Sequence, residues 1–243
     1  MSALERLLQT APAWASCIRT GKGGASITAA VTRAGGTLSR RYHLVLAEQG
    51  PLVSLKEAAA ARLLPRSCPD RHINPDGTFC LGLRAGHLID DANRADEWWG
   101  KLLVFLTCQE TAHETRSWPD YAQLSHGDDA AEIQIDAEEL AWKLGLYDEY
   151  KETLRGNSGT IAALARRVDP NTMHLRNGRS ACACGRSDKR GRRLLRRQCW
   201  KADLKCLPVL ERRRQEAVKQ FWATFSGTPC CQTMDGCPLL KAS

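Results

Sequence analysis

Cysteine and positive charge are both concentrated in the last third of the chain, which divides it into two regions with different physics. Residues 170–243 hold 16 Lys and Arg against 5 Asp and Glu, leaving 19 against 22 for residues 1–169, so nearly all of the overall +8 charge is C-terminal. Cys182, Cys184, Cys199, Cys206, Cys230, Cys231 and Cys237 crowd the same region, whereas Cys17, Cys68, Cys80 and Cys108 are scattered through the first part. In a reducing compartment, crowded thiols signal metal more often than disulfides. The fold need not depend on them, because 243 residues with 43% hydrophobic and 26% charged side chains suffice for a core. No apolar run reaches the ~18–20 residues that span a bilayer. The opening MSALERLLQTAPAW lacks the cationic start and continuous apolar stretch of a secretory signal. A cytoplasmic protein without a membrane partner is expected.

Along the chain, the apolar spacing from Ala3 to Leu8 predicts a short helix ending near Pro12. After the glycine-rich turn at Gly21–Gly24, residues 26–34 and 39–48 read as strands of a hairpin, with PLVSLKE as a third strand. Residues 58–87, broken by Pro65, Pro69, Pro75 and Gly77, read as an ordered loop, the kind of segment that carries chemistry. From Asp96, a helix presents Trp98, Trp99, Leu102, Leu103, Phe105 and Leu106 on one broad face. Asp136 followed by Glu139 has the form of a capping box, which predicts a second helix over about 137–155 stopped by Gly156. A short helix over 160–168, a linker at Asp169-Pro170-Asn171 and a helix over about 208–225 complete the reading. No phosphate-binding glycine motif sits between a strand and a helix, so nothing in the chain itself activates a substrate with a nucleotide.

Helix, antiparallel strands, long loop with one cysteine, then helices make an α+β layout, and the loop HINPDGTFCLG sharpens it. This segment resembles the active-site stretch of ubiquitin-conjugating enzymes, in which a Gly lies three residues before the catalytic Cys and a Leu directly follows it. Those positions are Gly77, Cys80 and Leu81. Where the family has the Asn of a His-Pro-Asn triplet, eight residues before the cysteine, this chain has His72, which is similar to divergent bacterial relatives. The family's Trp after the cysteine comes earlier than Trp98 or Trp99, and an insertion around Ala85–Arg94 would reconcile the two.

The resemblance implies an antiparallel sheet flanked by helices over residues 1–155, a linker over 156–170, and a basic, Cys-rich, partly helical region over 171–243. It also implies a transferase in which Cys80 carries a protein tag as a thioester and passes it to a target amine. One cysteine can do both, because a thiolate is a good nucleophile toward a thioester and a good leaving group toward an amine. His72 would donate to the tetrahedral oxyanion or act as a base. The implied partners are a ubiquitin-like protein or other protein substrate and a separate activating enzyme. The setting implied is antiphage defence, with a cyclic-oligonucleotide synthase among the targets. No organic cofactor is implied.

Cys17, Cys68 and Cys108 read as structural thiols, with Cys108 on the apolar helix face. His87, His113 and His126 are further candidates to approach the loop. Asp90 and Asp91 would either orient an incoming lysine or serve a helix N-terminus. In the tail, NGRSACACGRSDKRGRRLLRRQC is similar to the small zinc motif at the C-terminus of the bacterial preprotein-translocase motor, with a longer spacer and Trp200 in place of the last ligand. A structural zinc would then take Cys182, Cys184, Cys199 and Cys206, with Cys230, Cys231 and Cys237 as substitutes. The run RRLLRR and Arg212–Arg214 could hold phosphates or an acidic partner. The rival reading is therefore a non-enzymatic nucleic-acid or protein adaptor acting through the tail. A weaker rival is a cysteine hydrolase, which lacks an evident orienting Asn or Asp.

Overall fold

A computed structural model describes residues 1–33, 35–173, 175, 187–195 and 203–241. The chain divides into two compact units, one formed by Met1–Gln123 together with Ser226–Ser243 and the other by Leu124–Phe225. Among the described residues, no helix is long and apolar enough to cross a membrane.

The first unit is α+β. Helix α1 (Ala3–Gln9) starts in a complete capping box: the Ser2 hydroxyl accepts from the Glu5 amide at 3.2 Å, and the Glu5 carboxylate accepts from the Ser2 amide at 2.9 Å. Four strands follow as an antiparallel meander, β1 (Ala15–Gly21), β2 (Gly24–Ala29), β3 (Tyr42–Gln49) and β4 (Leu52–Glu57), paired in the order β1-β2-β3-β4. The register sets Ile27 opposite Leu44 and Leu46 opposite Leu55. Alternate residues of β2, β3 and β4 consequently bury one face: Ala25, Ile27 and Ala29, then Tyr42, Leu44 and Leu46, then Val53 and Leu55.

Against that face lies α2 (Ala92–Thr115), which contributes the predicted Trp98, Trp99, Leu102, Phe105 and Leu106. Asp91 caps it, accepting from the Arg94 amide at 2.7 Å, so of the two roles considered for this carboxylate the structural one is realised. Trp99 meets Trp14 edge-to-face at 5.6 Å, and its indole N–H donates to the Leu7 carbonyl at 3.1 Å, which ties α1 to α2. Each such large side chain contributes roughly 1.5–3 kcal/mol on burial.

Strand β1 is not signalled in the sequence. It is an edge strand whose residues are half-buried or exposed, with Ile18 66% exposed, so it lacks the alternation that marks β2 to β4. The predicted strand over 26–34 ends at Ala29, and the next begins at Tyr42; between them Thr32 and Leu38 form an isolated bridge.

The second unit is helical in its described residues: α3 (Asp128–Leu144), α4 (Tyr147–Leu154), α5 (Thr160–Ala165) and α6 (Asp203–Ala223). The helix expected over 137–155 is two helices, and the expected capping box is absent. Asp136 and Glu139 lie inside α3, where Glu139 pairs with Lys143 at 2.6 Å one turn on. Gly145, in the left-handed region at φ 69°, ends α3 and lets the chain turn into α4. Small residues Ala137 and Ala141 pack with Tyr150, Ile161 and Leu207 in the core of this unit.

A buried polar network accompanies that core. The fully buried Glu211 accepts from Tyr150 at 3.1 Å, from Arg214 at 2.7 and 2.8 Å, and from Gln215 at 2.7 Å. Arg214 also donates to the Ser125 hydroxyl at 2.8 Å, and Ser125 in turn bonds the Gln134 carbonyl oxygen. Arg214, proposed from sequence as a phosphate ligand, is thus engaged within its own unit. Arg212 lies 3.9 Å from Glu216.

Candidate active site

The loop between β4 and α2 is anchored at several points. At its start, the buried Glu57 carboxylate accepts from the amides of Leu63 at 2.8 Å and Leu64 at 2.9 Å. Then Cys68 and Ile73 exchange two backbone hydrogen bonds, each 3.0 Å, around the 3₁₀ turn Pro69–Arg71. Arg71 is 3% exposed. Its guanidinium donates to the Gln109 side-chain oxygen at 2.8 Å and to the Gln109 carbonyl at 3.0 Å, while the Gln109 amide donates back to the Arg71 carbonyl at 2.7 Å. Burial lowers the Arg71 pKa from its ordinary value. This exchange fastens the turn to α2 through a residue pair that the sequence reading did not mark.

His72 ends the turn in the left-handed region, φ 55°, with its amide on the Pro69 carbonyl at 2.8 Å. Its ring is buried, with its centroid 4.8 Å from that of Trp118. A tight turn over Asn74–Thr78 then reverses the chain. The Asn74 amide donates to the Thr78 carbonyl at 2.8 Å, and Asp76 accepts from the Thr78 amide at 3.0 Å and hydroxyl at 2.7 Å. Those Thr78 contacts hold the Asp76 carboxyl below the usual carboxylate range. Gly77 occupies φ 83° here, a conformation that a side chain rarely adopts.

On the return, the Phe79 amide donates to the Leu55 carbonyl at 2.8 Å, and its ring stacks on Phe105 at 4.6 Å. The Cys80 amide then donates to the His72 carbonyl at 2.9 Å. The two residues eight apart in sequence are therefore joined by a backbone hydrogen bond across a short, pinned hairpin, with Cys80 half-buried. Beyond it, Leu81 packs against the core, and Gly86 passes so close to β4 that a Cβ there would lie 2.1 Å from the Val53 carbonyl oxygen.

The other sequence candidates disperse. His87 bridges to Leu52 beside β4, and His113 lies in the last turn of α2. His126 belongs to the second unit, stacked on Phe221 at 5.5 Å and edge-on to Trp222 at 5.1 Å. Cys108 is fully buried, where burial raises its thiol pKa, in keeping with a structural role. Of the proposed zinc ligands, Cys182, Cys184 and Cys199 lie outside the described residues, as does the side chain of Cys206. Among the described residues, no three His, Cys, Asp or Glu form a metal-holding group.

A second polar cluster stiffens the same unit. The Glu110 carboxylate, buried in α2, accepts from Arg33 at 2.8 Å through Nε, from Arg40 at 3.1 and 3.2 Å, and from the Tyr42 hydroxyl. Burial alone would raise its pKa, but the Tyr42, Arg33 and Arg40 contacts outweigh it and hold the carboxyl below its ordinary value. Burial and the Glu110 contact push the Tyr42 phenol up.

Comparison with known families places two matches end to end. Residues 14–120, which contain the whole loop, match the model described as a prokaryotic E2 domain. Residues 125–239 match the model described as a cysteine-rich domain C-terminal to the E2 domain. No curated protein and no solved structure matches the chain. The last stretch of the second match, from Ser226 onward, belongs to the first structural unit.

Proposed function

From the premise that the chain belongs to the prokaryotic E2-domain family in the form that carries a cysteine-rich domain behind it, we propose that Cys80 is the acyl-carrying nucleophile of a protein-tag transferase. Its thiolate attacks the thioester carbonyl joining a ubiquitin-like protein to an activating enzyme. A tetrahedral oxyanion forms, and the activating enzyme's thiolate departs. A target amine then attacks the Cys80 thioester, the amide bond forms, and the Cys80 thiolate leaves as the amine's proton is lost. We assign His72 to the oxyanion as hydrogen-bond donor, the place where the ubiquitin-conjugating family uses an Asn amide.

The observation that carries this reading is the backbone bond from Cys80 to His72 within a loop pinned to β4 and α2. Catalytic groups need such fixed supports, because donors that must reorganise during reaction stabilise little. Partners of the protein class, a ubiquitin-like tag and an activating enzyme, follow from the family. The finer setting, cytoplasmic antiphage defence with a cyclic-oligonucleotide synthase among the targets, rests on resemblance alone. A structural zinc on Cys182, Cys184, Cys199 and Cys206 is supported by the cysteine-rich match and by the likeness of the stretch around Cys182 and Cys184 to a small zinc motif. When bound it would cross-link the tail and take no part in transfer.

The test is discharge of a preformed adduct. Wild-type protein charged by a cognate activating enzyme and tag should lose the tag on addition of free lysine. Persistence of the adduct in lysine but not in thiol would contradict amine transfer and leave a carrier only.

A further inference from the structure

The loop that carries His72 and Cys80 also carries Cys68, which meets Cys231 in a pair of sulfurs that the transfer chemistry does not use. Cys68, 1% exposed, and the half-buried Cys231 bring their Sγ atoms within 2.7 Å, although they are 163 residues apart in sequence. Both belong to the same structural unit.

Each sulfur is held in place independently. Cys68 is fixed by its two backbone hydrogen bonds with Ile73, and its carbonyl also accepts from the Arg71 amide at 2.9 Å. Cys231 sits in a turn with Gln232 in the left-handed region at φ 59°. That turn is clamped to the end of α2 by Arg116, which donates to the Gln232 carbonyl at 2.9 Å and pairs with Asp235 at 2.7 Å. Met234, Cys237 and Leu239 bury the remainder of the segment.

We propose that Cys68 and Cys231 are a peroxide-sensitive dithiol whose oxidation to a disulfide fastens the C-terminal segment to the active-site loop.

The two sulfurs differ in the way such a reaction requires. Cys231 is half-buried and within reach of a small oxidant, whereas Cys68 is 1% exposed. Cys231, the more accessible sulfur, is the attacking group once deprotonated, and Cys68 is the resolving one. In the first step the Cys231 thiolate attacks an oxygen of a hydroperoxide. The O–O bond breaks, a sulfenic acid forms, and the other oxygen leaves as alkoxide or hydroxide, which takes from solvent the proton that the thiol released and becomes alcohol or water. In the second step the Cys68 sulfur attacks the sulfenic sulfur, the S–S bond forms, and water leaves with the Cys68 proton. The peroxide is reduced by two electrons and the two thiols are oxidised to one disulfide.

Cys230 and Cys237 form a neighbouring thiol contact. Of these two, Cys237 is buried and Cys230 half-buried. No third His, Cys, Asp or Glu among the described residues joins Cys68 and Cys231 in a metal-holding group.

The experiment is peptide mapping of the full chain after brief treatment with dilute hydrogen peroxide, followed by alkylation without reductant. The expected product is one cross-linked peptide pair joining Cys68 to Cys231, restored to separate peptides by dithiothreitol, with loss of one pair of titratable thiols per chain. Cys230→Ser should keep that product. Cys68→Ser should replace it with a Cys231 sulfenic acid that a dimedone-type reagent captures. Cross-links that instead join Cys231 to Cys80 or Cys230, over-oxidation of Cys231 with Cys68 still free, or protection of both thiols until zinc is chelated would each overturn the proposal. The wild-type map alone decides between these outcomes, so a misfolded variant does not obscure the answer.

Discussion

The Cys80 amide donates to the His72 carbonyl at 2.9 Å, so the proposed nucleophile and the residue at the family's Asn position are backbone neighbours on the two arms of one hairpin. A spacing of eight residues becomes an adjacency because the turn Asn74–Thr78 closes the hairpin and Phe79 pins its return arm to Leu55. His72 takes the sequence position of that family's Asn, and its ring is buried beside Trp118.

His72→Ala is expected to leave the fold intact and slow discharge of a Cys80 adduct by ~10²–10³-fold, the usual cost of losing one oxyanion donor. His72→Asn, which restores the family's amide, should recover most of that loss. Single-turnover discharge across pH checks both. Equal loss in the two variants would assign His72 to proton transfer, and no loss would remove it from the site.

Glu110 makes acid stability predictable. Its carboxyl is held below the ordinary value of 4.5 by Tyr42, Arg33 and Arg40 acting against burial. A depressed folded-state value means that the stabilisation is fully present above the unfolded value and is lost as pH falls through the folded one. Unfolding by urea should therefore show stability declining below about pH 4.5 in wild type. Glu110→Gln should be less stable at neutral pH and show a shallower decline in that range. An unchanged acid slope in the variant would contradict this role.

Gly86→Ala should destabilise the first unit by about 3 kcal/mol or more, beyond the ordinary cost of overpacking, because the added methyl meets a backbone oxygen that cannot swing away. A Cβ at this position would overlap the Val53 carbonyl oxygen. Gly82→Ala makes a poor control, because Gly82 sits at φ 113°. Gly100→Ala on α2 meets nothing within 4 Å and should be neutral or stabilising. Thermal melts of the two variants test the difference.

The purified chain should carry about one zinc bound through Cys182, Cys184, Cys199 and Cys206, since thiolate ligation supplies folding free energy to small elements. Elemental analysis measures occupancy, and limited proteolysis with and without a chelator should show cleavage beyond Pro170 rising while the E2 domain stays intact. Full occupancy after Cys182 and Cys184 are both replaced by Ser would contradict this ligand set.

How much was legible in the sequence follows from which signals are local. Strands β2, β3 and β4 announce themselves because one face is buried at every second residue, whereas β1 has no such alternation and is defined by pairing alone. The break at Gly145 is hidden in the sequence because Leu140, Leu144 and Tyr147 keep helical spacing across it, as one continuous helix would. Helix α3 begins at Asp128 behind Gly127, with no side-chain cap to mark its start. The Gly77, Cys80, Leu81 and His72 pattern could be read because the whole motif fits in one short loop. Arg71 with Gln109, and Cys68 with Cys231, lie 38 and 163 residues apart, and no local spacing rule reaches that far.

The most direct test of the account is intact mass spectrometry of the protein after incubation with an activating enzyme, a ubiquitin-like protein and ATP, with the site of attachment mapped under non-reducing conditions. The account predicts a single tag joined through Cys80, released by dithiothreitol in wild type, absent in Cys80→Ala, and either absent or resistant to dithiothreitol in Cys80→Ser, because an oxygen ester exchanges far less readily than a thioester. The same reductant-labile adduct in Cys80→Ala would contradict it and move the chemistry to another cysteine.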